Sequence, residues 1–174
     1  MAKLNTPVGQ RDHIIGKTSA SITLVEYGDY ECSHCGHAYP IIKKLMKQFS
    51  NELLFVFRNF PMQESHPDAM AAAEAAEAAG LQNKFWEMHD LLYEHQDELD
   101  KNNLDYFAET LNLKMDKFEN DCNSSAVSSK IESDFESGIR SGVNGTPTFF
   151  INDKRVDTYD ATYDSLADAV RNAE

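Results

Sequence analysis

The sequence predicts an α/β fold, a central mixed sheet flanked by helices with an all-helical segment inserted into it. Three observations support this. The strand-like run Ser21-Ile22-Thr23-Leu24-Val25-Glu26-Tyr27 leads through Cys32-Ser33-His34-Cys35 into residues whose apolar members Tyr39, Ile42, Leu45, Met46 and Phe49 recur at helical spacing. A second apolar run, Leu53 to Phe60, is ended by Pro61, so strand, helix and strand form a βαβ unit with parallel strands. Helical patterns then follow one another until a further strand begins at Thr146.

The elements follow in order. Residues 1–20 are polar and turn-rich, with Asp12-His13-Ile14-Ile15-Gly16 packing locally ahead of the first strand. Ala69 to Ala79 is almost all Ala and Glu, the strongest helix composition in the chain, and Gly80 is a natural stop. Phe85, Met88, Leu92 and Tyr93 share one face of a second helix, with Trp86 and His89 near its edge. Leu104, Phe107, Ala108 and Leu111 mark a third. Met115, Phe118 and Cys122, then Ile131, Phe135 and Ile139, mark a fourth that is broken around Asn123-Ser124-Ser125. The run from Thr146 to Asn152 is a strand, Asn152-Asp153 turns, and Lys154-Arg155-Val156 returns antiparallel. A last helix starts at Asp160-Ala161 and uses Tyr163, Leu166, Ala167 and Val170. The expected organisation is one discontinuous domain, 12–63 and 141–173, interrupted by a helical subdomain at 64–140.

Composition narrows the function classes. A net charge of −13 argues against nucleic acid or anionic lipid as a partner. Three cysteines are too few for a disulfide scaffold. The first seven residues hold no apolar core of signal-peptide length, and no apolar run approaches the roughly 18–20 residues that span a bilayer. The expectation is a cytoplasmic monomer as the sequence stands, and a periplasmic one if a signal peptide has been removed.

Cys32 and Cys35 carry the chemistry. Two thiols three residues apart at a strand-to-helix junction can close a small disulfide ring. The first then meets the unpaired N–H groups and positive dipole end of the helix, which lower a thiol pKa to about 3.5–7.5 from roughly 8.5. Zinc uses the same cysteine spacing but wants four ligands, and His34 and His37 on one short turn cannot complete a tetrahedron with the two sulfurs. Redox chemistry without metal or cofactor is therefore expected. Glu26, six residues before Cys32, would move the proton of Cys35 if it lies buried beneath the pair, with its pKa raised by that burial. Strand alternation alone does not fix whether it points inward. Pro147 at a strand start cannot donate to the sheet, and a cis bond before it would leave backbone groups around Thr146 free beside the dithiol; either isomer fits the sequence. Of the other candidates, His37 faces solvent, His66 caps a helix ahead of Pro67, His89 packs at a helix edge, and Cys122 is a buried, inert thiol. Phe85, Trp86 and Met88 read as core, with a place for some of them at the border of a client groove as the alternative.

From about Asp12 to Ala169 the chain resembles the thioredoxin superfamily and, within it, the DsbA-like thiol–disulfide oxidoreductases. The resemblance lies in Leu24-Val25-Glu26-Tyr27 before Cys32-Ser33-His34-Cys35, in Phe57-Arg58-Asn59-Phe60-Pro61, and in Gly142-Val143-Asn144-Gly145-Thr146-Pro147-Thr148-Phe149 around the helical insertion. It implies a thioredoxin-like fold, Cys32 as exposed nucleophile, Cys35 as buried resolving thiol, Glu26 as the usual buried acid, and a cis Pro147 facing the pair. The family's periplasmic oxidant has Pro-His between its cysteines, so His34 implies thiolate stabilisation and oxidising character. Thioredoxins, with Gly-Pro there, are reducing. The two extremes lie near −120 and −270 mV, about 7 kcal/mol apart.

The activity so implied is protein disulfide exchange with cysteine-containing protein or peptide clients, reset by a thiol redox-recycling partner. Ser33, Thr146 and Pro147 would touch the client, the last two by strand addition. Two rivals stand beside it: a glutathione-linked transferase or isomerase on the same fold, and a metal-binding or redox-sensing dithiol module.

Overall fold

Two apolar strands without polar alternation form the middle of the sheet. β2 (Ile22–Gly28) and β3 (Leu53–Asn59) are buried on both faces, as a parallel pair covered by helices must be. The computed structural model describes residues 2–173, and among them five strands lie in the order β1-β3-β2-β4-β5. β2 and β3 run parallel from Ile22 opposite Leu53 to Gly28 opposite Asn59, joined through α1 (Ser33–Gln48). β4 (Thr148–Ile151) is antiparallel to β2, and β5 (Lys154–Arg155) is antiparallel to β4.

One expectation is corrected at the N-terminus. His13–Ile15 does not merely pack locally; it is the edge strand β1, antiparallel to β3. Its neighbour Arg58 holds the preceding segment in place. The guanidinium meets Asp12 bidentately at 2.8 and 3.0 Å, and donates to the Thr6 and Pro7 carbonyls.

Five helices separate β3 from β4. α2 (Ala69–Gly80) is buried nearly all round, and its small side chains let α3 (Phe85–Glu94), α4 (Lys101–Thr110), α5 (Met115–Cys122) and α6 (Ser125–Arg140) pack against it. The break expected in the fourth helical pattern falls at Asn123-Ser124, where Ser124 caps α6 through its hydroxyl. α6 also leans on the sheet. A Cβ on Gly138 would come within 2.7 Å of the Phe60 ring, and Phe135 stacks on Phe60 at 4.4 Å.

A buried polar chain fastens this insertion to β1 and β3. The Asn59 backbone N–H and side-chain amide donate to Asp134 Oδ2 at 3.1 and 3.0 Å, and the amide also donates to Glu77 Oε1 at 2.7 Å. Glu77 Oε2 takes His13 Nε2 at 2.8 Å, and Lys130 Nζ meets Asp134 Oδ1 at 2.6 Å. The last helix, α7 (Tyr163–Arg171), starts later than Asp160 because Asp160 accepts from Thr162 in a tight turn that puts Ala161 at φ +68°.

The sheet separates two apolar clusters. Leu24 and Phe57 face α1, α2 and α3, while Val25, Tyr27, Val56 and Phe150 face the other way. Because β4 starts at Thr148 opposite Tyr27, and β3 ends beside the end of β2, three loops meet at one end of the sheet. They are Asp29–Cys32, Phe60–His66 and Gly145–Pro147.

Candidate active site

Cys32 is the N-cap of α1, in extended backbone with φ −71° and ψ 119°. The helix therefore begins on a thiol, and its first free N–H groups point toward sulfur. Cys35, one turn on, sits on the buried face of α1 with no exposed surface; Cys32, expected to be exposed, keeps only 5%, because the Thr146 carbonyl lies against its sulfur. Both are free thiols. The Cys32 thiol donates to the Thr146 carbonyl at 3.5 Å.

These contacts divide the two sulfurs electrostatically. The Cys35 thiol, the Thr146 side chain and the amides of Cys35 and His34 overcome the cost of burial and bring Cys32 down to about 5. No amide makes a formal cap hydrogen bond to that sulfur; the amides act by pointing at it. Burial, then the hydrogen bond with Cys32 and the charge of Glu26, push Cys35 well above an ordinary thiol. The site holds one thiol that ionises readily and one that does not.

Strand alternation settles the side of Glu26. It shares a face with Leu24, toward α1, and is 1% exposed. Burial, with a smaller contribution from Cys32, raises its pKa to about 8. Its Oε1 has no hydrogen-bond partner, nor do the hydroxyls of Tyr93 and Tyr159. Glu26 and Tyr93 border a cavity of about 140 Å³ between α1 and α3.

The Thr146–Pro147 bond is cis. The Thr146 carbonyl faces Cys32, and the Thr146 hydroxyl lies 3.9 Å from Met62 Sδ. Ser33 and the His34 ring are exposed on the first turn of α1; His34 acts on Cys32 through its backbone amide. His37 is exposed, and its Nε2 lies 2.9 Å from the Ala161 carbonyl.

Four of the secondary assignments change. His66 does not cap α2, whose N-cap is Asp68; its Nδ1 meets Asp29 Oδ2 at 2.8 Å instead. His89 is not at an edge: it is 4% exposed among Phe57, Phe85 and Tyr93, and burial lowers its pKa to about 3, so it stays neutral. Cys122 is half-buried rather than buried, with its pKa raised by burial to about 12. Phe85 and Met88 are core, while Trp86 is only partly covered.

Two further residues that shape the site lie outside the cysteine motif. Gln96, just after α3, donates to the carbonyls of Tyr30 and Cys32 at 2.8 and 2.9 Å. Its side chain lies so close to α1 that a Cβ on Gly36 would come within 1.9 Å of it. Asp29 accepts from two backbone amides and His66, and its carbonyl accepts from the Cys32 N–H. No spacing rule in the sequence pairs these positions with Cys32. Among the described residues no group of three or more His, Cys, Asp and Glu side chains is arranged to hold a metal ion.

A family model described as Thioredoxin matches residues 9–172. The chain belongs to the thioredoxin family. The structure is similar to that of a thioredoxin-like oxidoreductase from Silicibacter pomeroyi, with TM-score 0.85, 25% identity, and coverage of 95% of this chain and 93% of that one. It is equally similar to oxidised BdbD from Bacillus subtilis, with TM-score 0.85 and 25% identity over 99% and 97% of the two chains. By sequence, 145 residues are 46% identical to an Na(+)/H(+) antiporter, NhaA 1, of Salinispora arenicola. That match covers 83% of this chain but 22% of the antiporter, so the chain spans under a quarter of that relative's length. The family resemblance and the thioredoxin-like fold expected from the sequence both hold. Among the described residues, no helix is long and apolar enough to cross a membrane.

Proposed function

We propose that this protein is a thiol–disulfide oxidoreductase that exchanges disulfides with cysteine-containing protein or peptide clients through Cys32 and Cys35. One observation carries the reading: a helix-capping thiol brought to about 5 stands over a buried partner held well above the normal range. Such a pair has a thiolate ready to attack at neutral pH and a second thiol that stays protonated until needed.

As a reductant, the Cys32 thiolate attacks a client disulfide sulfur, forms a mixed disulfide and releases one client thiolate. Cys35 then loses its proton and attacks Cys32, which forms the Cys32–Cys35 disulfide and frees the second client thiolate. Glu26, buried on the Cys35 side, takes that proton in its ionised form, a fraction that grows as pH rises toward about 8. Oxidation of a client runs the same steps backwards, two electrons passing from the client dithiol to the Cys32–Cys35 disulfide. Thr146 and the cis Pro147 would receive the client backbone beside Cys32, and Ser33 lies on the exposed side of the same opening. The direction follows the recycling partner: a reducing thiol pool keeps the pair reduced, and an oxidising compartment keeps it as a disulfide.

The test is insulin reduction and refolding of a reduced, denatured protein, with Cys32→Ser and Cys35→Ser beside wild type. Cys32→Ser is expected to abolish turnover, and Cys35→Ser to accumulate a mixed disulfide through Cys32. Retained turnover in Cys32→Ser refutes the reading.

A further inference from the structure

A buried carboxylate that the exchange steps leave unused lies in the loop carrying the dithiol. The Asp29 side chain is 0% exposed. Its Oδ1 accepts from the Glu31 N–H at 2.8 Å, and its Oδ2 from the Met62 N–H at 2.9 Å and from His66 Nδ1 at 2.8 Å. Its carbonyl accepts from the Cys32 N–H at 3.2 Å. These contacts belong to a closed circuit: Asp29 to Met62, Met62 Sδ to the Thr146 hydroxyl, the Thr146 carbonyl to Cys32 Sγ, and Cys32 back to Asp29. His66 is the side chain joined to that circuit that can carry a positive charge, with a quarter of its side chain exposed at the rim.

A carboxylate buried beside a forming thiolate opposes it, because like charges at short range raise one another's pKa. A protonated imidazole on the carboxylate cancels that opposition. We propose that His66 and Asp29 are a positioning pair for the exchange site, Asp29 anchoring the Cys32 backbone and His66 supplying the cation that keeps the thiolate from facing an unbalanced buried charge. This rests on the exchange reading above and adds to it a charge-setting group outside the cysteine motif.

The local electrostatics agree. The Asp29 hydrogen bond holds the His66 imidazole above the usual histidine range; partial burial opposes this, while the negative charges of Asp29, Cys32 and Glu31 assist it. All three belong to the loop and N-cap beneath the ring, and Glu31 is itself fixed by the Asp68 N–H at 2.7 Å. Coupling is reciprocal, so a thiolate that favours the charged histidine is favoured by it equally.

The experiment titrates the Cys32 thiolate by ultraviolet absorbance in wild type, His66→Gln and His66→Lys, with urea unfolding of each and the reduction potential against glutathione measured across pH 5–9. Gln keeps a hydrogen-bond donor toward Asp29 without the charge, and Lys keeps the charge without the ring. His66→Gln is expected to raise the Cys32 midpoint by roughly 0.5–1 pKa unit, about a three- to tenfold loss of thiolate below the midpoint. His66→Lys should return it to within about 0.3 unit of wild type, a rescue that a purely structural role would not give. A folded His66→Gln with the wild-type midpoint overturns the proposal, and so does a His66→Lys midpoint raised by as much as one unit. A wild-type midpoint near 9 would instead sink the exchange reading itself, whatever His66 does.

Discussion

Replacing Glu26 by Gln removes an ionisation while leaving an amide of the same shape in the same buried place. Unfolded, the carboxyl titrates at 4.5; folded, at about 8, chiefly because burial penalises its charge. A folded pKa raised for an acid means that the native state holds a proton between these values that the unfolded chain has lost. Wild-type stability therefore falls as pH rises through that window, and the variant escapes the fall. The span from 4.5 to about 8, at about 1.36 kcal/mol per unit, is worth about 5 kcal/mol when complete. Between pH 5 and pH 9 the variant should gain about 4 kcal/mol on wild type, half of that being a floor if water enters the cavity beside Glu26. Any penalty from the unpaired amide is the same at every pH and drops out of the comparison. Urea unfolding of both proteins as disulfides, at four pH values, measures the gap without a titrating thiolate, which removes the smaller Cys32 contribution to the shift and leaves the burial that dominates it. A gap that stays flat within about 0.5 kcal/mol refutes the reasoning. It would mean that the Glu26 carboxyl ionises in the native state as freely as in water.

Two further outcomes follow from the packing. Asp134→Ala leaves Lys130 and the Asn59 amides without their shared buried acceptor, and should cost about 3–5 kcal/mol in urea unfolding; a loss below about 1 kcal/mol would show that solvent already reaches the network. Cys122 has its pKa raised to about 12 and lies away from the dithiol, so Cys122→Ala should leave the exchange rate unchanged, and the native thiol should resist iodoacetamide at pH 7. Alkylation of Cys122 as fast as a free thiol would contradict this.

Much of the fold is legible because the signals are local and strong. The buried runs of β2 and β3, the helical spacing after Cys35 and the Ala-rich α2 each declare themselves within a dozen residues. β1 does not, because three residues with two partly exposed isoleucines carry no period and gain strand character only by pairing with β3. The start of α7 is likewise set by a turn that puts Ala161 at positive φ, which composition does not announce.

The site divides the same way. Cys32, Cys35 and Pro147 stand in recognisable motifs, but the cis bond, the side on which Glu26 lies and the exposure of the His34 ring depend on which helix covers which face. His66, Gln96 and Asp29 reach the dithiol through contacts between residues 37 and 64 positions apart, or through a backbone carbonyl, and neither appears as a spacing. His66 reads as a cap from its place before Pro67, and it is the buried carboxylate of another loop that claims it.

The pH dependence of Cys32 alkylation in the reduced protein tests the central claim most directly. The rate should follow a single thiolate with a midpoint near 5, with Cys35 unreactive throughout the neutral range. A midpoint near 9, or two cysteines reacting alike, would contradict it.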